Sequence, residues 1–214
     1  MMMCSLLIVL LLLPTKPFEG SVLFSVSAPE VKDGNLVIML SRYGAKAIFD
    51  GKDQAFEFLI PKQDSAAYKL NAYGKTYNIV GLSDSRRLAE TLGKFDDYVI
   101  EKHGQETLLG YTCEHFTLKT KTRTLELWTA RDILDAEQLT KLAGTVTLLG
   151  LNPRMVQKMV EAGVAGFPLK LRAEENGKVL TVIAKKATRK TFPKSMFEIP
   201  KGYKKIESEG VLSR

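Results

Sequence analysis

Cysteine is nearly absent from this chain. Its 214 residues include two, Cys4 and Cys113, too few for a disulfide framework. Cys4 precedes the apolar block Leu6–Leu13. A lipidated cysteine would be expected directly after that block, so no lipoprotein signal is read here. Histidine is as scarce, with only His103 and His115. A Ser-His-Asp relay needs one of them as base, and no serine sits in G-x-S-x-G. Neither Gly110-Tyr111-Thr112 nor Gly163–Gly166 lies in the strand–GxxxxGK[ST]–helix pattern that cradles phosphate. The carboxylates are scattered, and Asp96-Asp97 and Glu174-Glu175 read as solvated pairs. No enzyme and no cofactor are therefore expected. No apolar run reaches the ~20 residues that cross a bilayer as a helix.

What remains is ordinary globular material. Hydrophobic residues are 45% and charged residues 26%, which argues against disorder. The net charge of +7 is spread along the chain, with a mild basic cluster over Lys185–Lys194. No basic stripe interleaved with aromatics appears, so nucleic acid is not an expected partner. A basic surface does suit solvated strand edges, or contact with anionic lipid headgroups. The eight apolar residues Leu6–Leu13 fit the hydrophobic region of a secretory signal peptide. Residues 1–17 are read as that leader and residues 18–214 as a single domain.

Strand patterns dominate after the leader. Phe18–Ser27, Asn35–Arg42, Lys46–Phe49, Ala55–Ile60, Ala66–Leu70 and Thr76–Val80 are short and regularly spaced. Turn signals lie between them: Lys32-Asp33-Gly34, Tyr43-Gly44, Asp50–Asp53, Pro61–Asp64 and Tyr73-Gly74. An antiparallel meander follows. One or two helical turns are expected over Asp84–Leu92. Thr107–Leu118 and Thr124–Thr129 predict a hairpin around Cys113, His115 and the lone Trp128. Its basic link, Lys119–Arg123, lacks Gly and Asn and predicts a loose loop.

After Trp128 the period lengthens. Arg131-Asp132 can cap a helix running to Leu142, and Thr145–Leu151 is ambiguous. Asn152-Pro153 starts a second helix, with Gly163 ending it. Met155, Val156, Met159 and Val160 share its apolar face. Phe167–Ala173 and Lys178–Lys186 return as a hairpin through Glu174–Gly177. A last pairing segment is expected over Met196–Pro200 and Gly202-Tyr203. The layout is α+β: one large curved antiparallel sheet with helices on one face.

Two clusters carry candidate chemistry. Cys113 and His115, two residues apart on a strand, share a face and could meet one metal ion. A structural zinc needs four ligands, and only His103 could join them. Cys113 is therefore expected to be a buried thiol, without metal. Methionine on the second helix suits a surface that accepts varied apolar partners; ordinary core packing explains the same residues.

Five segments in order carry a resemblance. They are Phe18-Glu19-Gly20, Gly110–Phe116 (GYTCEHF), Leu127–Asp132 (LWTARD), Gly166–Lys170 (GFPLK) and Phe197–Tyr203 (FEIPKGY). Together they resemble a family of uncharacterised bacterial secreted proteins, a domain-of-unknown-function group placed with the LolA/LolB-like lipoprotein carriers. The resemblance covers nearly all of the chain after the leader. It implies an incomplete β-barrel, helices over its concave face, and an apolar cavity, in the periplasm or cell envelope of a Gram-negative bacterium. No position matches the buried arginine that gates the carriers' lid, so transfer activity is not implied.

The expected function is non-enzymatic binding of an apolar or amphipathic ligand: a lipid, an acyl chain or a lipoprotein segment. The expected contacts are Trp128, Met155, Val156, Met159, Val160, Phe167 and Leu169. The alternative is a structural or interaction protein with a filled core. Export predicts a mature N-terminus between about Pro14 and Gly20. N-terminal sequencing of the native protein checks this; a chain starting at Met1 in the cytosol would overturn it.

Overall fold

The first strand shows how the sheet forms. In β1 (Gly20–Ala28), Gly20, Val22, Phe24 and Val26 are buried, while Ser21, Leu23 and Ser25 between them are partly exposed. Alternation of this kind presents one face to a core and the other toward water. The structure is a computed structural model that describes residues 17–29, 31–52, 55–64, 66–80, 98–120, 123–143, 153–175 and 177–207. Residues 1–16 of the leader, Asp84–Leu92 and Thr145–Leu151 lie outside the described residues.

Five strands continue from β1: β2 (Val31–Ser41), β3 (Gly44–Asp50), β4 (Ala55–Pro61), β5 (Ala67–Asn71) and β6 (Thr76–Val80). Each pairs antiparallel with the next. A second meander runs through β7 (Val99–Leu108), β8 (Tyr111–Lys119), β9 (Arg123–Ala130), β10 (Phe167–Glu175) and β11 (Lys178–Arg189). The two meanders join where β1 pairs antiparallel with β11, from Gly20↔Arg189 to Ser27↔Thr181. A short β12 (Lys204–Lys205) adds to β6 in parallel. The described strands make one twelve-stranded sheet, ordered β12-β6-β5-β4-β3-β2-β1-β11-β10-β9-β8-β7. Its outer strands are β12 and β7, which do not pair with each other, so the sheet is open.

Among the described residues two α-helices accompany it, α1 (Ala136–Ala143) and α2 (Pro153–Glu161). Both turn apolar residues toward one flank of the sheet. Leu139, Met155, Val156 and Met159 cluster with Phe116, Leu118 and Leu127. Removing each such side chain from water contributes about 1.5–3 kcal/mol. Helix α2 ends in a Schellman motif. Val164 N–H donates to Met159 O and Gly163 N–H to Val160 O, both at 2.9 Å, with Gly163 at φ 67°. Val164 and Met159 pack in the same cluster, as that cap favours.

Several expectations shift. Thr107–Leu118 is not one strand, because the chain reverses at Leu109-Gly110, with φ of 52° and 83°. Both values suit a type I′ turn. Residues 121 and 122 of the link after β8 lie outside the described residues, and hydrogen bonds join its described ends. Thr120 N–H donates to Arg123 O at 2.9 Å, and Arg123 N–H donates to Thr120 Oγ1 at 3.0 Å. Lys32-Asp33-Gly34 is no turn but lies inside β2. Helix α1 is capped by Asp135, not Asp132. Gln138 N–H donates to Asp135 Oδ1 at 2.8 Å, and Asp135 N–H donates to Gln138 Oε1 at 3.1 Å, a reciprocal capping box. Lys194–Phe197 forms a 3-10 turn, and the last pairing segment is β12 instead.

Gly20 sits at the joint between the meanders. A Cβ there would lie 2.2 Å from Thr188 O and 2.8 Å from Phe18 Cζ. Gly20→Ala should therefore cost about 1–3 kcal/mol through overpacking against backbone. At Gly74 the nearest atom would be 3.4 Å away, and Gly74→Ala should cost less. The two urea midpoints decide; equal midpoints would mean the joint tolerates a methyl group.

Candidate functional site

A recess in the sheet lies where β1 and β3 begin and β2, β4 and β11 end. It is a cleft of about 1110 Å³, just above the ~300–1,000 Å³ usual for ligand pockets. Phe18, Leu40, Ala45, Ile60 and Leu134 give it apolar walls. Leu40 and Ala45 face each other across β2 and β3, and Ala45 faces Ile60 across β3 and β4. Leu134 and Gln138 close one side from the entry to α1. Gly44 allows the strands to approach here. Its φ is 148°, and a Cβ would lie 2.2 Å from Ile60 O.

The rim is charged. Arg42, Lys62, Arg189 and Lys190 line it together with Glu19 and Asp64. Glu19 accepts a 2.9 Å hydrogen bond from Ser41 Oγ, and Asp64 accepts one of 2.8 Å from Tyr68 Oη. Sequence reasoning missed this site. Its residues are spread from Pro17 to Thr191, and of the five resemblance segments only Phe18-Glu19-Gly20 contributes to it. The available signals were that segment and the basic cluster at Lys185–Lys194, which supplies Arg189 and Lys190.

The seven residues expected to contact ligand fall into separate places. Met155, Val156 and Met159 are at most 1% exposed, packed on Phe116, Leu118 and Leu127. Val160 is 38% exposed, because it lies about 140° round the helix from Met155. Trp128, Phe167 and Leu169 are buried in the other large cluster, with Cys113, Ala130 and Phe24. That cluster also holds Leu40, Ala45, Ile60 and Leu134 from the cleft wall.

Around Trp128 the sheet carries a stacked ladder across four strands. The His115 ring lies 4.1 Å from the Trp128 ring, 12° from parallel, and the His103 ring lies 4.7 Å from His115. Lys170 Nζ sits 3.6 Å from the Trp128 ring centroid, a cation–π distance. These contacts accompany the buried Trp128 Nε1, which has no hydrogen-bond partner among the described residues. His115 Nε2 is 2.8 Å from Glu126 Oε1, and its Nδ1 is 2.9 Å from Glu106 Oε1. His103 Nε2 is 2.6 Å from Thr117 Oγ1. Cys113 Sγ donates to Tyr111 O at 3.6 Å. The imidazoles and the thiol that a metal would need are thus engaged elsewhere, and no group of three metal-binding side chains occurs among the described residues.

The class the fold defines is an open antiparallel sheet with helices against one flank. The chain belongs to the family described as "Domain of unknown function (DUF4412)", which it matches over residues 18–203. Among solved structures it is similar to an uncharacterised conserved protein from Thermus thermophilus. That likeness has a TM-score of 0.50 at 10% identity, covering 88% of this chain and 91% of the other. It is also similar to the Mycobacterium tuberculosis lipoprotein LppX, with a TM-score of 0.38 at 10% identity over 81% and 89%. The Pseudomonas aeruginosa MucA/MucB complex gives 0.45 at 12% identity over 85% and 54%. No curated protein matches the chain.

Cys113 offers a test of this packing. Burial, aided by the nearby Glu106 and Asp132 charges, raises its thiol from 9.0 to about 11, against a smaller lowering by a backbone hydrogen bond. The neutral thiol is thus favoured in the folded chain. Its contribution is present below about pH 9 and is lost as pH climbs through about 11. The urea midpoint of the wild type should fall over that window, and less so in Cys113→Ser. That variant should cost about 1–3 kcal/mol at neutral pH by burying a hydroxyl. Rapid labelling of the folded protein by a thiol reagent at pH 8 would contradict the buried, neutral state.

Proposed function

We propose that this is a non-enzymatic, exported cell-envelope protein, periplasmic in a Gram-negative host. It binds an apolar or amphipathic molecule: a lipid, an acyl chain or a lipoprotein segment. One observation carries the reading, the 1110 Å³ cleft with apolar walls between the sheet and the entry to α1. A ligand's apolar part would leave water there, at about 25 cal/mol per Å² buried. The leader-like Leu6–Leu13 block supports export. The basic rim allows contact with an anionic membrane surface during exchange.

The helices serve as a lid over the concave side of the sheet. In this reading Trp128, Phe167 and Leu169 back the cleft, and Met155, Val156, Met159 and Val160 are the wall that a lifted helix would offer. Lifting α2 exposes three side chains now buried, each worth about 1.5–3 kcal/mol. Only a ligand that covers the same surface would offset that cost. The tight packing of those residues favours a second reading, a structural or interaction protein whose helix–sheet layer is its own core.

Nile red, an uncharged apolar fluorophore, separates the two. Saturable binding to the folded protein is expected, weakened about tenfold, or about 1.4 kcal/mol, in Ala45→Phe, which fills the cleft. A folded wild type that binds no Nile red would leave the structural reading.

A further inference from the structure

We infer that the cleft selects amphiphiles with an anionic head group: a phosphate, sulfate or carboxylate on an alkyl chain. This rests on the reading of the cleft as a binding site and adds the chemistry of what it takes. Four exposed cations, Arg42, Lys62, Arg189 and Lys190, stand in its lining. None of them forms an ion pair among the described residues. Some cations elsewhere on the sheet do: Lys46 with Glu57 at 2.6 Å, Lys119 with Glu101 at 2.5 Å, and Arg172 with Glu174 at 2.8 Å. The two carboxylates in the cleft's lining instead accept hydroxyl hydrogen bonds, from Ser41 and Tyr68. Among the described residues, positive charge at this rim is therefore left without a partner.

Three of the four cations are also held in place by rings. The Arg42 guanidinium lies 5.0 Å from the Tyr43 ring centroid, Arg189 lies 5.2 Å from Phe18, and Lys190 Nζ lies 5.7 Å from Phe192. Stacking of this kind orders a cation without neutralising it. Arg42 and Lys62 follow β2 and β4, and Lys62 N–H donates to Tyr43 O at 2.8 Å, tying the two turns together. Arg189 and Lys190 end β11, where Lys190 N–H donates to Glu19 O at 3.0 Å. Both meanders thus bring cations to one rim, above the walls of Leu40, Ala45 and Ile60. An alkyl chain can occupy those walls while its anionic head meets the guanidinium groups, whose donors suit phosphate and carboxylate oxygens.

The test compares dodecyl phosphate, uncharged dodecyl maltoside and inorganic phosphate as competitors of bound Nile red, with both amphiphiles below their micelle concentrations. Dodecyl phosphate should bind at least about tenfold more tightly than the maltoside at low salt, and the advantage should shrink as sodium chloride screens the rim. The double variant Arg42→Gln/Arg189→Gln should lose the advantage while keeping its affinity for Nile red and the maltoside. Lys62→Gln/Lys190→Gln, at two exposed positions, should act in the same direction if the arginine variant fails to fold. Equal affinity for the two amphiphiles overturns the anionic preference and leaves the cleft as a binding site. Inorganic phosphate competing as strongly as dodecyl phosphate would make the rim a free-anion site and also overturn it. Failure of Nile red and both amphiphiles to bind would remove the binding function itself.

Discussion

The fold depends on one long-range pairing, β1 against β11. Most neighbouring strands within each meander are joined by short turns; β9 and β10 are joined instead across the helical segment. The union of the two meanders needs residues about 160 positions apart to meet, from Gly20↔Arg189 to Ser27↔Thr181. Closing so large a loop costs entropy before any contact forms. An eight-pair ladder, with one register shift between Leu23 and Phe24, and the burial of Val22, Phe24 and Ala184 in one apolar cluster offset it. Gly20 belongs to this joint because Thr188 O occupies the space of a side chain.

The cleft is a product of that joint. Phe18 and Glu19 arrive from the start of β1, Arg42 from the end of β2, and Arg189 from the end of β11. Antiparallel order brings those ends to the same side of the sheet. Without β1·β11, the two pairs of cations would belong to separate sheets. The recess therefore combines apolar walls, supplied by alternating strand residues, with charges supplied by turns. Turns tolerate Arg and Lys because their backbones lie at the surface.

The opposite flank shows a different use of the same material. There α2 lays Met155, Val156 and Met159 directly on Phe116, Leu118 and Leu127, leaving a packed layer. Across β7 to β10, the ladder of His103, His115, Trp128 and Lys170 joins neighbouring strands by ring stacking and cation–π contact. Cross-strand pairs of this type reinforce register. They give His115 and Trp128 of the central hairpin a packing role.

Much of the strand layout was legible in the sequence, because side-chain alternation and turn residues are local signals. Thr76–Val80 and the start of α2 at Pro153 follow from them directly. The I′ turn at Leu109-Gly110 was not legible, since leucine seldom takes φ of 52°. Asp135 was passed over as a cap because Asp132 offers the same chemistry three residues earlier. The ladder around Trp128 depended on register, which one-dimensional pattern leaves open. The site was the least legible part. Leu40, Ala45 and Ile60 look like any strand residues, and Arg42, Lys62, Arg189 and Lys190 like any surface cations. Sequence by itself determined which segments extend, which coil and which faces are apolar, through backbone sterics and side-chain period. Only the tertiary structure decided which apolar face would be filled by a helix and which left as a cleft. That outcome rests on which distant strand ends meet, and pairing across the chain is a property of the whole fold.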